Sequence, residues 1–388
     1  MNSDRSRRAQ ICGLGVVTAL GDGLEPNVAG IAKGIANSSR RTLGQLAEPT
    51  EVSYLQLAPS SSRLDSFDAV DSAVEQALSN TALSSAQRRH IPLFIGSSSY
   101  AIGQSEALFA AALNDSETDA LPVQSAGFGQ ISRHLRAKHG LCGPDYLFNT
   151  ACTASANALL IAAEHIEGGY CDHALVIGVE LLNITTVAGF YGMQLLAKDI
   201  MRPFDQRRDG LVLGEGCGVI LLGPAGRAQN GLFISGGASG CDTFSITTSN
   251  PDGVSNAKVM TQALNNACLV AEDVTAIKAH GTATPLNDDA EAAGMRQVFE
   301  EPPPIFALKP YVGHTLGACG AVETVLISAA IRAGFLPISG GYEVYDEELG
   351  VRPLTSAMAV GSGHFMLNFF GFGGNNASIL LFNEAGDV

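Results

Sequence analysis

Tryptophan is absent from the 388 residues and aromatic side chains make up only 6% of them, so the interior must be built from smaller aliphatic side chains. Basic residues are scarce as well: 23 Lys and Arg stand against 38 Asp and Glu, a net charge of −15. That excludes general nucleic-acid binding, which needs a basic face, and obliges any acidic partner to find a local basic patch. No apolar stretch reaches the about 18 residues of a membrane span. The eight cysteines include no C-x-x-C pair and no His-rich spacing, which argues against zinc and disulfide frameworks. No metal is expected, and a reducing, cytoplasmic setting fits best. Residues 1–9 are polar and basic, without the apolar region and small-residue cleavage site of a signal peptide.

What is present is a chain of 46% hydrophobic and 16% charged residues, long enough for two domains or one duplicated one. Its 44 glycines suit an α/β protein with many tight strand-to-helix turns. Ala9 to Leu20 reads as a buried strand, residues 36–64 as an irregular excursion, Ser66 to Leu78 as a helix, Ile91 to Ser97 as a strand and Gln124 to His139 as a helix. Leu211 to Leu213 and Gly218 to Leu222 look like paired buried strands. Gly231 to Gly240 then resembles the opening run, which predicts two similar halves, residues 1–225 and 226–388. The second half continues with helices at Asn256 to Ala267, Asp289 to Phe299 and Leu316 to Ala333, and strands at Ala276 to Ala279 and Ile305 to Leu308.

Three strand ends carry polar chemistry. In Phe148-Asn149-Thr150-Ala151-Cys152-Thr153-Ala154, a strand turns sharply into an Ala- and Leu-rich helix with Cys152 at the turn. Unpaired N–H groups and the positive end of the helix dipole there favour thiolate over thiol. Read alone, Cys152 is either a nucleophile or a buried structural cysteine. In Ala279-His280-Gly281-Thr282-Ala283-Thr284-Pro285, a histidine closes an apolar strand, and Pro285 is expected to hold back the helix. In Leu308-Lys309-Pro310-Tyr311-Val312-Gly313-His314, a lysine and a second histidine share a loop. Each histidine taken alone reads first as a satisfied core or surface residue, but two at corresponding strand ends are less easily dismissed.

Taken together these stretches resemble the elongating β-ketoacyl-acyl carrier protein synthases, condensing enzymes with a Cys-His-His site. The resemblance runs in order through GLGVVTALG (13–21), NTACTASANAL (149–159), RPFDQRRDGLVLGEG (202–216), HGTATPLND (280–288), KPYVGHTLGACGAVE (309–323) and FFGFGGNNAS (369–378). It implies the thiolase fold, two similar βα halves in a layered αβαβα core, and decarboxylative condensation of an acyl thioester with malonyl-carrier protein.

By that resemblance Cys152 takes the acyl group, and His280 and His314 donate as neutral imidazoles to the enolate oxygen. Lys309 keeps His314 neutral with Glu323 as its partner, and Asp288 and Glu291 brace the loop of His280. Phe372, with Phe370 in the same glycine-rich segment, belongs to a gate, and the N–H groups of Cys152 and Phe372 form the oxyanion hole. Arg202, Lys198 and Arg207 are the candidate carrier-protein contacts, although Arg207 and Arg208 are as readily paired with Asp205 and Asp209. No bound cofactor is expected, since phosphopantetheine arrives on the carrier protein. A homodimer is expected, or a heterodimer with a cysteine-less chain-length factor, with part of Ser125 to Leu147 at the interface. The alternative is that this chain is itself such a shaping subunit. Leu211 stands where the family usually has Phe and Asn375 where it has Thr, which leans towards a polyketide-like or aryl-polyene-like system.

Overall fold

The computed structural model describes residues 7–34, 39–43, 50–57, 67–79, 81–99, 102–114, 129–226 and 231–384. Two sets of five strands form its centre. The first is β1 (Ala9–Thr18), β2 (Leu93–Gly96), β3 (Asp145–Phe148), β4 (Ala174–Glu180) and β5 (Gly216–Pro224); the second is β6 (Gly231–Cys241), β7 (Val274–Lys278), β8 (Ile305–Phe306), β9 (Gly363–Phe370) and β10 (Asn375–Glu384). In the first set the spatial order is β3-β2-β4-β5-β1, with β2 parallel to β3 and β4 and the remaining pairs antiparallel. The second set repeats this as β8-β7-β9-β10-β6, with β7 parallel to β8 and β9. The same order and the same directions occur twice, and the two sets meet where Ala9 and Gln10 pair with Ile234 and Phe233.

The helices that matter to the site are α1 (Asp68–Ser79), α2 (Gly129–His139), α3 (Ala154–Glu167), α4 (Ile184–Gly192), α5 (Val254–Ala267), α6 (Pro285–Val298) and α7 (Cys319–Arg332). Every residue of α7 from Cys319 to Ile331 is buried, and so are nine of the fourteen residues of α3. A helix apolar all round lies between layers rather than on a surface. Accordingly α3 and α7 pack on each other and touch strands of both sets, while α1 covers β1 and β5 and α5 covers β6 and β10 from outside. The crossing of α3 and α7 requires Gly320, because a Cβ there would lie 2.1 Å from the backbone nitrogen of Ala156. That close approach brings the first turns of the two helices side by side, and their preceding loops carry Cys152 and His314.

Several sequence expectations need correction. Leu213–Gly214 and β5 are not partners: Leu213–Gly214 pairs in parallel with Thr50–Leu55 in a separate three-stranded sheet, and a single residue between it and β5 leaves no room for reversal. Within residues 36–64 the alternation Val52, Tyr54 with Leu55 forms that strand, all three buried, so the stretch is not wholly irregular. Helix α6 begins at Pro285 rather than Asp289; proline lacks only an N–H that the first turn leaves unpaired anyway. The helix expected from Gln124 is seen from Gly129, residues 124–128 lying outside the described residues. The boundary expected at residue 226 falls between β5 and β6.

Candidate active site

The chain leaves β3 at Phe148, makes a short 3-10 turn over Ala151–Thr153 and enters α3. Ala151 holds φ 50, a left-handed conformation unusual for a residue with a Cβ, and this sharp turn presents Cys152. Its Sγ lies 3.1 Å from Nε2 of His314. The expectation of a resting thiolate is not met. Burial pushes the thiol up to about 11, outweighing the Lys309 charge and the backbone N–H of Phe372, which favour the thiolate, while Glu180 opposes it. The helix terminus cannot replace the hydration lost in an enclosed site. The thiol of Cys319 donates to the carbonyl oxygen of Cys152 at 2.9 Å.

Both histidines are buried, with ring centres 5.4 Å apart and planes at 86°. Burial, and after it the charge of Lys309, holds both imidazoles well below the ordinary value of 6.5, so both are neutral at pH 7. Their tautomers follow from their partners. The Lys309 ammonium, which has only donors, lies 3.2 Å from Nδ1 of His280, and the N–H of Leu316 donates to Nδ1 of His314 at 3.3 Å. Each Nδ1 is therefore an acceptor and each Nε2 carries the proton. Both rings line the same cavity.

Lys309 touches His280, not His314: besides Nδ1 it donates to the His280 carbonyl at 2.6 Å and to Glu323 Oε1 at 2.8 Å. Its charge still reaches both rings. Glu291 accepts the N–H groups of His280 (2.7 Å) and Gly281 (2.9 Å), one on each oxygen. Asp288 accepts those of Phe204 (2.8 Å) and Ala283 (3.2 Å). Three and six residues into α6, these carboxylates hold the loop of His280 from inside the helix. Burial raises the pKa of both, that of Asp288 to about 6.

The cavity has a volume of about 270 Å³, and its lining includes Cys152, His280, His314, Phe190, Leu195 and Leu211 together with Thr247, Thr248, Thr282 and Thr284. Phe370 is buried at the end of β9, its ring 6.1 Å from that of His280. Phe372 is half-buried and stacks on Phe190 of α4 at 5.4 Å, with planes 9° apart. The turn Phe372–Gly374 is tied to a facing loop: Gly373 N–H donates to the Ile246 carbonyl at 2.7 Å, and Asp242 N–H to that of Gly374 at 2.8 Å. Asn375 donates from its side chain to the Phe372 carbonyl at 3.2 Å.

The candidate carrier contacts are mostly engaged with carboxylates. Arg202 forms a two-pronged pair with Asp199 (2.7 and 2.9 Å), and Arg207 pairs with Asp205 and Glu343. Arg208 pairs with Asp289 and Asp346, not Asp209. Lys198 is exposed.

Two buried ionisable residues beside the site, Glu180 and Lys278, were missed from sequence. Glu180, ending β4, accepts N–H and hydroxyl groups of Ser98 and Ser99 and the N–H of Gly317, and so joins the turn after β2 to the loop before α7. Lys278, ending β7, reaches Glu323. A charged residue closing an otherwise apolar strand was the available signal in both cases. Among the described residues, no group of three or more His, Cys, Asp or Glu could hold a metal ion, and no helix is long and apolar enough to cross a membrane.

A duplicated five-stranded βα unit with a cysteine at one central helix terminus and two imidazoles lining the same cavity defines the thiolase fold. The chain belongs to the β-ketoacyl synthase family: residues 59–228 match its N-terminal domain and residues 233–343 its C-terminal domain. Among curated proteins it is 35% identical over 270 residues to the mitochondrial 3-oxoacyl-[acyl-carrier-protein] synthase of Arabidopsis thaliana, covering 64% of this chain and 58% of that protein. It is 30% identical to 3-oxoacyl-[acyl-carrier-protein] synthase 2 of Vibrio cholerae, over 66% of this chain and 67% of that protein. The chain thus spans less than two thirds of the plant relatives it matches, 58%, 51% and 55% of their lengths. Of solved structures, a ketosynthase in complex with its chain length factor from Xenorhabdus doucetiae superposes with a TM-score of 0.85 at 24% identity, over 99% of this chain and 100% of that one.

Proposed function

We propose that this chain catalyses decarboxylative condensation of a cysteine-bound acyl group with malonyl-acyl carrier protein. The observation that carries the reading is the convergence of one thiol and two neutral Nε2–H donors on one cavity, with Nε2 of His314 3.1 Å from Sγ of Cys152. Sγ attacks the acyl thioester, the carrier's C–S bond breaks and the thiol proton ends on the departing sulfur, giving an acyl-cysteine. The malonyl thioester then loses carbon dioxide. The electron pair of the broken C–C bond moves onto the thioester oxygen, where His280 and His314 donate to the developing charge. Because both rings are neutral and anchored through Nδ1, each offers a fixed donor without itself titrating. The enolate carbon attacks the acyl-cysteine carbonyl, the N–H groups of Cys152 and Phe372 hold the oxyanion, and collapse releases Sγ.

The threonines in the cavity lining suit the amide-bearing phosphopantetheine arm of a carrier protein, which brings the only cofactor chemistry needed. Phe372, between glycines and stacked on Phe190, acts as the gate to the acyl pocket. A dimer, with itself or with a related chain-length factor, and a cytoplasmic setting complete the reading. Cys152 makes this chain the catalytic member of such a pair rather than its shaping subunit. The deciding experiment supplies the purified chain, alone and with a candidate partner, with malonyl-carrier protein and an acyl-carrier thioester. Carbon dioxide and a 3-oxoacyl-carrier product are expected. An active-site acylation with no carbon dioxide released under either condition contradicts the reading.

A further inference from the structure

Strand β7 reads Val-Thr-Ala-Ile-Lys, and its last residue carries a charge into the fully buried interior two positions before His280. The steps above do not call on it. Lys278 Nζ lies 2.5 Å from Oε2 of Glu323, 2.7 Å from the carbonyl oxygen of Asn368 and 3.7 Å from the centre of the Phe369 ring. All three partners are electron-rich. A neutral amine has two N–H groups and a lone pair, so only the ammonium satisfies them all. Lys309 repeats the pattern on the other oxygen of the same carboxylate, with Glu323 Oε1, the His280 carbonyl and Nδ1 of His280 as its three acceptors. Glu323 is a bridge with one lysine on each oxygen.

We propose, resting on the condensing reaction assigned above, that Lys278 is a positioning residue: it clamps Glu323 from the far side, so that Lys309 is held against Nδ1 of His280 and the Nε2–H of that ring stays aimed into the cavity. A buried carboxylate with a single cation can swing about its side-chain torsions. With a cation on each oxygen, any rotation breaks a charge-assisted hydrogen bond where water cannot replace it. The order Lys278, Glu323, Lys309, His280 is a rigid relay from strand end to reacting donor. The same ammonium opposes protonation of both rings. The charged or titratable groups around the rings are Lys278 of β7, Lys309 after β8, Glu323 of α7, Asp288 and Glu291 of α6, Cys152 before α3 and Glu180 of β4. Of these only the two lysines disfavour an imidazolium on both rings, the His314 ring opposing protonation of His280 as well, and Lys278 is the lysine that does not touch an imidazole.

Lys278→Met and Lys278→Gln test this through malonyl-carrier decarboxylation and Cys152 acylation, each followed against pH. The rate of decarboxylation should fall on the order of tenfold in Lys278→Met, the scale of losing a partner that orients a working imidazole, with KM little changed. Its acid limb should move to higher pH by about half a unit or more, because a cation near the histidines is gone. Lys278→Gln keeps an N–H for its partners, so it should recover part of the rate while retaining the shifted limb. A folded variant with the wild-type rate and limb overturns the proposal, as does an equal loss of acylation and decarboxylation with no shift. Should neither variant fold, the ¹⁵N resonances of His280 in the wild type decide: a proton on Nε2 is expected, and a proton on Nδ1 breaks the relay. A wild-type chain that does not decarboxylate malonyl-carrier protein overturns the assigned reaction instead, leaving the ¹⁵N measurement to judge the relay by itself.

Discussion

Cys152 and His314 face each other at 3.1 Å with both groups neutral at pH 7, so the resting site is poised by hydrogen bonding rather than by a thiolate-imidazolium pair. The consequence is a division of labour that kinetics can resolve. His280→Ala and His314→Ala should each lower decarboxylation on the order of a hundredfold or more, as losing an oxyanion donor does, and slow the acylation of Cys152 less. Stopped assays of carbon dioxide release against acyl-enzyme formation check this. The pH profile carries a second prediction. Donation through Nε2 from a neutral ring fails when Nδ1 takes a proton, so decarboxylation should decline as pH falls, with its acid limb below the ordinary histidine value of 6.5 because burial and Lys309 depress both rings. A limb above 6.5 would contradict the electrostatics described. Cys152 after β3 and His280 after β7 were placed by residue order, whereas His314 follows a short helix, Lys309–Val312, where a loop was expected, and the three were drawn together by the family resemblance. The protonation state of the thiol was not legible, because desolvation depends on layers contributed by distant parts of the chain. Lys278 and Glu180 escaped because a single charge in an apolar run looks like a strand terminus until its partner on another strand or helix is seen.

At the scale of elements, the site depends on the contact between α3 and α7. Gly320 admits that contact, and the added methyl of Gly320→Ala would meet the backbone of Ala156 at 2.1 Å. The helices must separate, at a cost of about 1–3 kcal/mol for overpacking, and His314 is carried away from Cys152. Calorimetry should show a lowered Tm, and the same variant should lose condensation out of proportion to its loss of folded protein. A wild-type Tm and activity would mean that the crossing is looser than described. The βα alternation, α3, and the strands around it could be read from apolar runs and glycines. The boundary of α6 could not, since Pro285 is compatible with both a helix stop and a first helical turn, and the backbone bond from Asp288 N–H to the Thr284 carbonyl, 3.1 Å, shows which it is. Leu213–Gly214 was misplaced for a related reason. Apolar strand residues do not say which sheet they join.

At the scale of the whole molecule, the proposed function requires a net charge of −15 to coexist with docking of an acidic carrier protein. Arg202, Arg207 and Arg208 are already bound to Asp and Glu side chains, Arg207 although exposed, which leaves Lys198 as the exposed cation of that run without an ion pair among the described residues. Lys198→Glu should raise the KM for carrier-bound substrate and leave reaction with a small free thioester nearly unchanged, whereas equal losses on both would place the dock elsewhere. Edge strand β3 exposes Tyr146 and Leu147, at 39% and 45%, so sedimentation should report a dimer or a heterodimer rather than a stable monomer. The central claim, that Cys152 carries the acyl group, is tested most directly by peptide mass spectrometry after incubation with an acyl-carrier thioester. The acyl mass should lie on the peptide containing Cys152 and be missing from Cys152→Ala, while Cys152→Gln still releases carbon dioxide from malonyl-carrier protein. An acyl group found on Cys319 or Cys171 in the wild type, or retained by Cys152→Ala, would contradict it.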